Sequence, residues 1–295
     1  MIVILNRAAG ADSRPNAQES EIRDLFANAG GEISIQHPDQ SRDVTALAQA
    51  AAVSEDEIVV AGGGDGTISA VAGALVGTGK TLGVLPLGTL NHFAKDLGIP
   101  LELPEAIATI AHGASAEVDV GEVNGRVFIN NSSLGLYPRI VARREAQQDE
   151  LGRRKWPAAI WATAQAFRRF PFLDLRITLD GKQLVRQTPF LFVGNNEYEF
   201  TGLNLGGRAC LNHGQLGLYL ARRTGRLGLF RLALGALCGR LKRAGNFDSH
   251  CVCEATVELP QARVLVAIDG EITWMKTPLH YRIRSRALRV LVPPS

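Results

Sequence analysis

Gly62-Gly63-Gly64-Asp65-Gly66-Thr67 follows the short apolar run Ile58–Ala61. Beyond it, Ile68, Val71, Ala72 and Leu75 recur at three- and four-residue spacing, which predicts a helix. The expected order is strand, tight loop, helix. Glycines tolerate positive φ and leave no side chains in the way, so backbone N–H groups can face an anion. The helix N-terminus adds partial positive charge, and Thr67 is the expected cap. Asp65 is the one charged side chain of the loop. Its carboxylate would repel phosphates unless Mg2+ sat between them. The pattern therefore predicts a nucleotide-phosphate site with a metal at Asp65. A plain glycine-rich turn is the bland alternative, but this much glycine between a strand and a helix exceeds what a turn needs. Other phosphate motifs fail. Gly79-Lys80-Thr81 ends like a P-loop, but the position five before Gly79 is Ala74 rather than glycine.

Two more stretches carry candidate chemistry. Gly88-Thr89 follows the apolar run Thr81–Leu85 and is a second turn able to meet a phosphate. Asp269-Gly270-Glu271 closes the run Arg263–Ile268 and sets two carboxylates two residues apart around a glycine. Alone, that triplet is a common turn. If the chain transfers phosphoryl groups, an Asp or Glu near the acceptor hydroxyl is the natural base.

These residues need a frame. Ile2–Leu5, Glu32–Gln36, Ile58–Ala61 and Thr81–Leu85 read as strands. Glu19–Ala29, Val44–Val53, Thr67–Gly77 and Pro104–His112 read as helices. Strands alternating with helices predict an open α/β domain on a parallel sheet, Rossmann-like, over residues 1–118. Ligands of such sheets sit at the carboxyl ends of the strands, where Asn6, the glycine loop and Gly88-Thr89 all fall. From Val118 the pattern changes to short alternating strands. Asn124-Gly125 and Asp180-Gly181 are hairpin signals, and Phe190–Val193, Gly217–Ala221, Cys251–Leu259 and Arg263–Ile268 are further strands. An antiparallel β-sandwich is expected over 119–285, with Leu288–Val292 inside a final segment, 286–295, that returns to the first domain.

The net charge of +3 hides an asymmetry: residues 1–118 carry 6 Lys+Arg and 15 Asp+Glu, and residues 119–295 carry 26 and 14. The basic half suits anionic lipid, and no zinc-finger spacing, aromatic strand signature or basic zipper points to nucleic acid. Glu145–Phe172 and Arg222–Arg243 mix Arg and Lys with Trp, Phe and Leu, which fits either a membrane-surface segment or amphipathic helices over a core. The four cysteines lack a metal-ligand or disulfide pattern and read as reduced. No leader and no membrane span are expected, so the chain is read as cytoplasmic and peripherally membrane-associated.

Gly62–Thr67 resembles the glycine-rich signature of diacylglycerol, sphingosine, ceramide and NAD kinases and, more distantly, of phosphofructokinases. Pro86-Leu87-Gly88-Thr89-Leu90-Asn91-His92-Phe93-Ala94 resembles the lipid-kinase stretch Pro-x-Gly-Thr-x-Asn-Asp-Phe-Ala everywhere except His92. Asn6, Val118–Gly121, Phe128, Phe192–Asn196, Gly206-Gly207 and the late Asp269-Gly270-Glu271 also match that family. The resemblance implies ATP and Mg2+ as cofactors and a lipid acceptor at a membrane surface rich in anionic phospholipid. It places ATP on Asn6, Gly62–Thr67, Gly88, Thr89 and Asn91, with Asp269 as proton acceptor and Glu271 beside it. A homodimer is compatible with it. Three positions depart from the family: Arg7 replaces the Pro that follows Asn6 in its opening Asn-Pro, His92 stands where an Asp of a water and metal network is usual, and His213 where a structural Mg2+ site has Asp. That second site is therefore not expected. The runner-up enzyme is an NAD kinase, for which Asn196-Glu197 comes late. A lipid-binding protein without activity is the non-enzyme alternative.

Overall fold

The computed structural model describes residues 1–6, 15–39, 41–135, 138, 172–201, 204–208, 210–221 and 247–294. Arg7 and both basic stretches, apart from Phe172, lie outside the described residues. The first half runs β1 (Ile2–Leu5), α1 (Pro15–Asn28), β2 (Ser34–Gln36), α2 (Val44–Ala52), β3 (Ile58–Gly63), α3 (Asp65–Leu75), β4 (Thr81–Pro86), α4 (His92–Asp96) and α5 (Leu103–His112). Then come β5 (Ala114–Val123), β6 (Arg126–Phe128), β7 (Asn131–Gly135), β8 (Leu173–Leu179), β9 (Lys182–Thr188), β10 (Phe190–Asn195), β11 (Glu199–Thr201), β12 (Asn204–Gly207) and β13 (Leu216–Ala221). The chain ends with β14 (Phe247–Val252), β15 (Glu254–Glu258), β16 (Arg263–Ile268), β17 (Glu271–Lys276) and β18 (Leu279–Val292).

The architecture is an α/β half followed by an antiparallel sandwich. Strands β2, β1, β3 and β4 pair in parallel in that order. Both central strands are buried along almost their whole length, because helices cover both faces; this is why they read as unbroken apolar runs. The second sheet, β14-β13-β10-β7-β16-β17, is antiparallel throughout the pairs it shows. Its inward residues Leu134, Val193, Leu218 and Val266 meet Ile177, Val257 and Tyr281 of the larger sheet in one core.

One strand ties the halves together. The first part of β18 lies between β15 and β5, and its second part pairs Arg289 and Val290 in parallel with Thr81 and Leu82 of β4. A register shift between Arg284 and Leu288, with Arg286 at φ 51°, lets one strand serve both arrangements. The boundaries at 118/119 and 285/286 thus fall inside β5 and β18, and a single ten-stranded sheet runs through both halves.

Three hairpins follow one rule. Asn124-Gly125, Asp180-Gly181 and Asp269-Gly270 all have both residues at positive φ, the geometry that two-residue turns need to match strand twist. The third sets Ile268 opposite Glu271 and carries the Asp269-Gly270-Glu271 triplet. Helix α4 carries no clear helical spacing in the sequence. It is five residues long and follows the N-cap Asn91, which takes a left-handed conformation at φ 50° and ψ 47°.

Candidate active site

The glycine loop is where β3 becomes α3. Gly64 is the N-cap residue and Asp65 opens the helix, so the amides of Asp65, Gly66 and Thr67 precede the first helical bond, Ile68 N–H to Gly64 O at 3.1 Å. Thr67 is not the cap: it lies inside the helix, where its Oγ1 accepts from Asn6 Nδ2 at 3.0 Å. The glycines also serve a different end from the one their conformational freedom suggests. None of Gly62, Gly63, Gly64, Gly66 or Gly88 has positive φ. They permit close approach. A Cβ on Gly63 would stand 2.7 Å from Thr67 Oγ1, and one on Gly88 would stand 2.5 Å from Gly64 Cα. The two candidate phosphate loops are therefore packed backbone to backbone, joined also by Leu87 N–H to Gly63 O at 3.0 Å.

Asn91 builds this junction. Its Oδ1 accepts from Gly88 N at 3.0 Å and its Nδ2 donates to Gly88 O at 2.8 Å and to Pro86 O at 3.2 Å. At 4% exposure, its amide is committed to the shape of the loop, so it acts on a ligand through Gly88 and Thr89. Thr89 and His92 are exposed beside it.

The other half delivers the carboxylates. Asp269 Oδ2 accepts from Ser69 Oγ at 2.5 Å and from Ile129 N at 2.8 Å; its Oδ1 accepts from Asn130 N at 2.8 Å and Asn131 N at 2.9 Å. Three of these donors belong to one turn of backbone between β6 and β7, and the fourth comes from the second turn of α3. Enclosure by the protein pushes the Asp269 carboxyl above the ordinary aspartate range, while the four hydrogen bonds pull it back. Glu271 is exposed and reaches over the start of α3: its Oε1 lies 3.7 Å from where a Cβ on Gly66 would stand. Asp65, Ser69, Asp269 and Glu271 thus lie on or over the first two turns of α3.

Asp65 Oδ1 is buried and has no hydrogen-bond partner. A carboxylate oxygen left bare beside free helical amides is costly unless a cation or a further donor completes it. The residues here therefore fit a Mg2+ ion at Asp65 and phosphate oxygens on the amides. The loop before β13 does not fit one. His213 is exposed and its N–H donates to Asn196 Oδ1 at 3.1 Å. The adjoining carboxylate, Asp119, is fully buried and has both oxygens taken, by Gly214 N at 2.7 Å and Arg286 N at 2.8 Å. No group of three or more His, Cys, Asp or Glu side chains suited to a metal occurs among the described residues.

Sequence reasoning missed Ser69, the Ile129–Asn131 amides and the buried ion pair behind them, Arg208 to Asp96 at 2.8 Å. Ser69 carries a weak signal, being four residues after Asp65 on the same helix face. Arg208 follows Gly206-Gly207 but looks like any surface arginine in a basic half.

A family model for the diacylglycerol kinase catalytic domain matches residues 1–123, and one for the YegS C-terminal NAD kinase beta sandwich-like domain matches residues 139–292. A diacylglycerol kinase of Bacillus subtilis is 40% identical over 114 residues, which is 38% of this chain and 38% of the relative. A probable lipid kinase YegS-like protein of Pseudomonas aeruginosa is 37% identical over 131 residues, 43% of each chain. The aligned stretches thus span less than half the length of these two relatives. The solved structure of a diacylglycerol kinase from Bacillus anthracis superposes with a TM-score of 0.72 at 20% identity, covering 99% of this chain and 96% of that one, a likeness of fold. Yeast NADH kinase shares the fold more distantly, with a TM-score of 0.53 at 12% identity over 98% of this chain and 81% of its own. With both halves matched in order, the chain belongs to the diacylglycerol kinase and YegS-like lipid kinase family.

Proposed function

We propose that this chain is an ATP-dependent lipid kinase that phosphorylates the hydroxyl of a diacylglycerol-like, sphingoid or ceramide lipid. The observation that carries the reading is the meeting of Asp65, with its bare buried oxygen at a free helix N-terminus, and the Asp269-Gly270-Glu271 hairpin from the opposite sheet. The amides of Asp65, Gly66 and Thr67 and the Gly88-Thr89 turn hold the phosphates, and Asn6 and Asn91 fix the two loops. Asp65 Oδ1 is the oxygen offered to Mg2+, which when bound neutralises phosphate charge. Asp269 accepts the proton of the acceptor hydroxyl as that oxygen attacks the γ-phosphorus and the bond to ADP breaks. Of the four donors on Asp269, only Ser69 is a side chain able to turn away, and the acceptor hydroxyl takes its place at Oδ2.

An NAD kinase is the second reading, on the likeness of fold to yeast NADH kinase. Asn196 counts against it here. It is fully buried, and its amide spans Asn195 and the His213 N–H rather than facing the carboxylates. Radiolabelled ATP offered with diacylglycerol, ceramide, a sphingoid base and NAD in parallel decides the matter. Label should enter a lipid. Label in NAD alone ends the lipid reading, and ATP binding without transfer to anything favours a binding protein.

No described helix is long and apolar enough to cross a membrane. Access to lipid is proposed through the basic stretches Glu145–Phe172 and Arg222–Arg243, which touch anionic phospholipid. Binding to vesicles containing phosphatidylserine should weaken steeply as salt rises, because a screening length of about 8–10 Å is reached near physiological ionic strength. Binding that ignores salt removes this role from the basic residues.

A further inference from the structure

A buried cation stands behind Asp269. The Arg208 side chain is 0% exposed and the Asp96 side chain 9%. The guanidinium makes four hydrogen bonds and one further ion-pair contact. Nε donates to Asp96 Oδ2 at 2.8 Å, and Nη2 meets the same oxygen at 2.8 Å and Asn130 Oδ1 at 2.9 Å. Nη1 donates to Ile129 O at 2.7 Å and Asn195 O at 3.1 Å. The Tyr198 ring lies 5.5 Å from the guanidinium carbon. A carboxylate, two backbone carbonyls and an amide oxygen gathered round one positive centre form an all-oxygen shell. Hard divalent ions are usually held by such a set.

The partners are specific. Asp96 ends α4, in the half that carries the glycine loop. Ile129 and Asn130 belong to the turn whose amides hold Asp269. Asn195 locks the same turn from behind: its Nδ2 donates to Ile129 O at 2.9 Å and its N–H to Asn130 O at 2.9 Å. Ile129 is 0% and Asn130 4% exposed, so this turn has no water to replace a lost donor.

Resting on the kinase reading for its role in turnover, we infer that Arg208 is the built-in cation of this centre. It is a positioning residue that fixes the Ile129–Asn131 turn, and through it the Asp269 carboxylate, where a bound divalent ion would otherwise be needed. A buried ion pair is often replaceable without loss of stability, so stability alone does not explain a guanidinium bonded to three segments at once. Aiming three amides at one carboxylate does.

The test compares wild type, Arg208→Ala and the neutral pair Asp96→Asn/Arg208→Met, without nucleotide. With the Asp65 site removed by Asp65→Asn, the chain should hold well under one equivalent of divalent metal, and its Tm should be the same in EDTA and in Mg2+. Arg208→Ala strands a buried carboxylate, so its Tm should fall by on the order of 10 °C. The neutral pair should regain most of that loss. Its Ile129–Asn131 amides should nonetheless exchange with deuterium roughly 10²-fold faster than in wild type. Its kcat should stay about 10²-fold down with KM for ATP unchanged, because a carboxylate displaced by an ångström costs that much. One tightly held metal that Asp65→Asn also retains, and whose removal lowers the Tm of that variant, overturns the inference. So does an unchanged Tm in Arg208→Ala, or wild-type amide protection in the stable neutral pair. If wild type phosphorylates no lipid, the kinase reading fails by itself, while metal content, Tm and amide exchange still judge Arg208.

Discussion

Asp269→Asn is expected to lower kcat by about 10²–10⁴-fold, the usual contribution of a general base, with ATP affinity held within a few-fold. The substitution removes the ionisable oxygens that join α3 to the β6–β7 turn. It has a structural cost that must be separated from the chemical one. Each oxygen of Asp269 meets two donors, so an amide nitrogen placed on either side faces N–H or O–H groups head on. That loss is worth roughly 1–3 kcal/mol and should appear as a Tm lower by a few degrees. Turnover is therefore compared well below both melting temperatures. Glu271→Gln is the internal control. Glu271 is exposed and not held by donors in this way, so its loss should cost about tenfold or less. If Glu271→Gln collapses turnover and Asp269→Asn does not, the proton acceptor is Glu271 and Asp269 only shapes the hairpin. The pH profile gives an independent reading. A base works ionised, and burial raises the Asp269 carboxyl, so the acid limb of kcat should lie above the ordinary aspartate value of about 4 and be missing in the asparagine variant.

How much of this was legible beforehand depends on the range of the interaction. The glycine loop and its strand and helix show in the sequence because they are local: a buried apolar run, a turn and a 3.6-residue period lie within twenty residues. The hairpins at Asn124-Gly125 and Asp180-Gly181 are legible for the same reason. Asp269-Gly270 obeys the same turn rule, yet its sequence reads equally well as a bare turn. Its role comes from Ser69 and Ile129–Asn131, at separations of 200 and about 140 residues, which no local pattern records. The positive φ expected of the glycines is absent, because composition cannot tell a left-handed backbone from a tight contact. Only the packing of Gly88 on Gly64 decides between them. Thr67 has the right chemistry for a cap, but the helix begins two residues earlier than periodicity suggests, because Asp65 and Gly66 carry no apolar signal. Arg208 was invisible for a different reason. Surface and buried arginines look alike until their partners converge, and its partners come from three separate segments.

Asp65→Asn tests the other half of the site, and its expected effects have opposite signs under two conditions. The side chain opens α3, where a negative charge gains about 0.3–1 kcal/mol from the helix dipole, while its buried Oδ1 lacks any partner. Asparagine has the same shape and loses both terms, so the Tm should move by no more than a few degrees. Function should move far more. With Mg2+ present, kcat/KM for ATP should fall by roughly 10²–10³-fold, the scale on which single charge-stabilising groups act in a preorganised site. In EDTA the order should invert. A carboxylate beside the triphosphate repels it, so the asparagine variant should bind metal-free ATP more tightly than wild type does. Calorimetric titration with ATP, with and without Mg2+, reads both arms. Equal Mg2+ dependence in the two proteins would take the metal away from Asp65. Tighter metal-free binding by wild type would mean that the phosphates do not lie against this helix at all, whatever the glycines suggest.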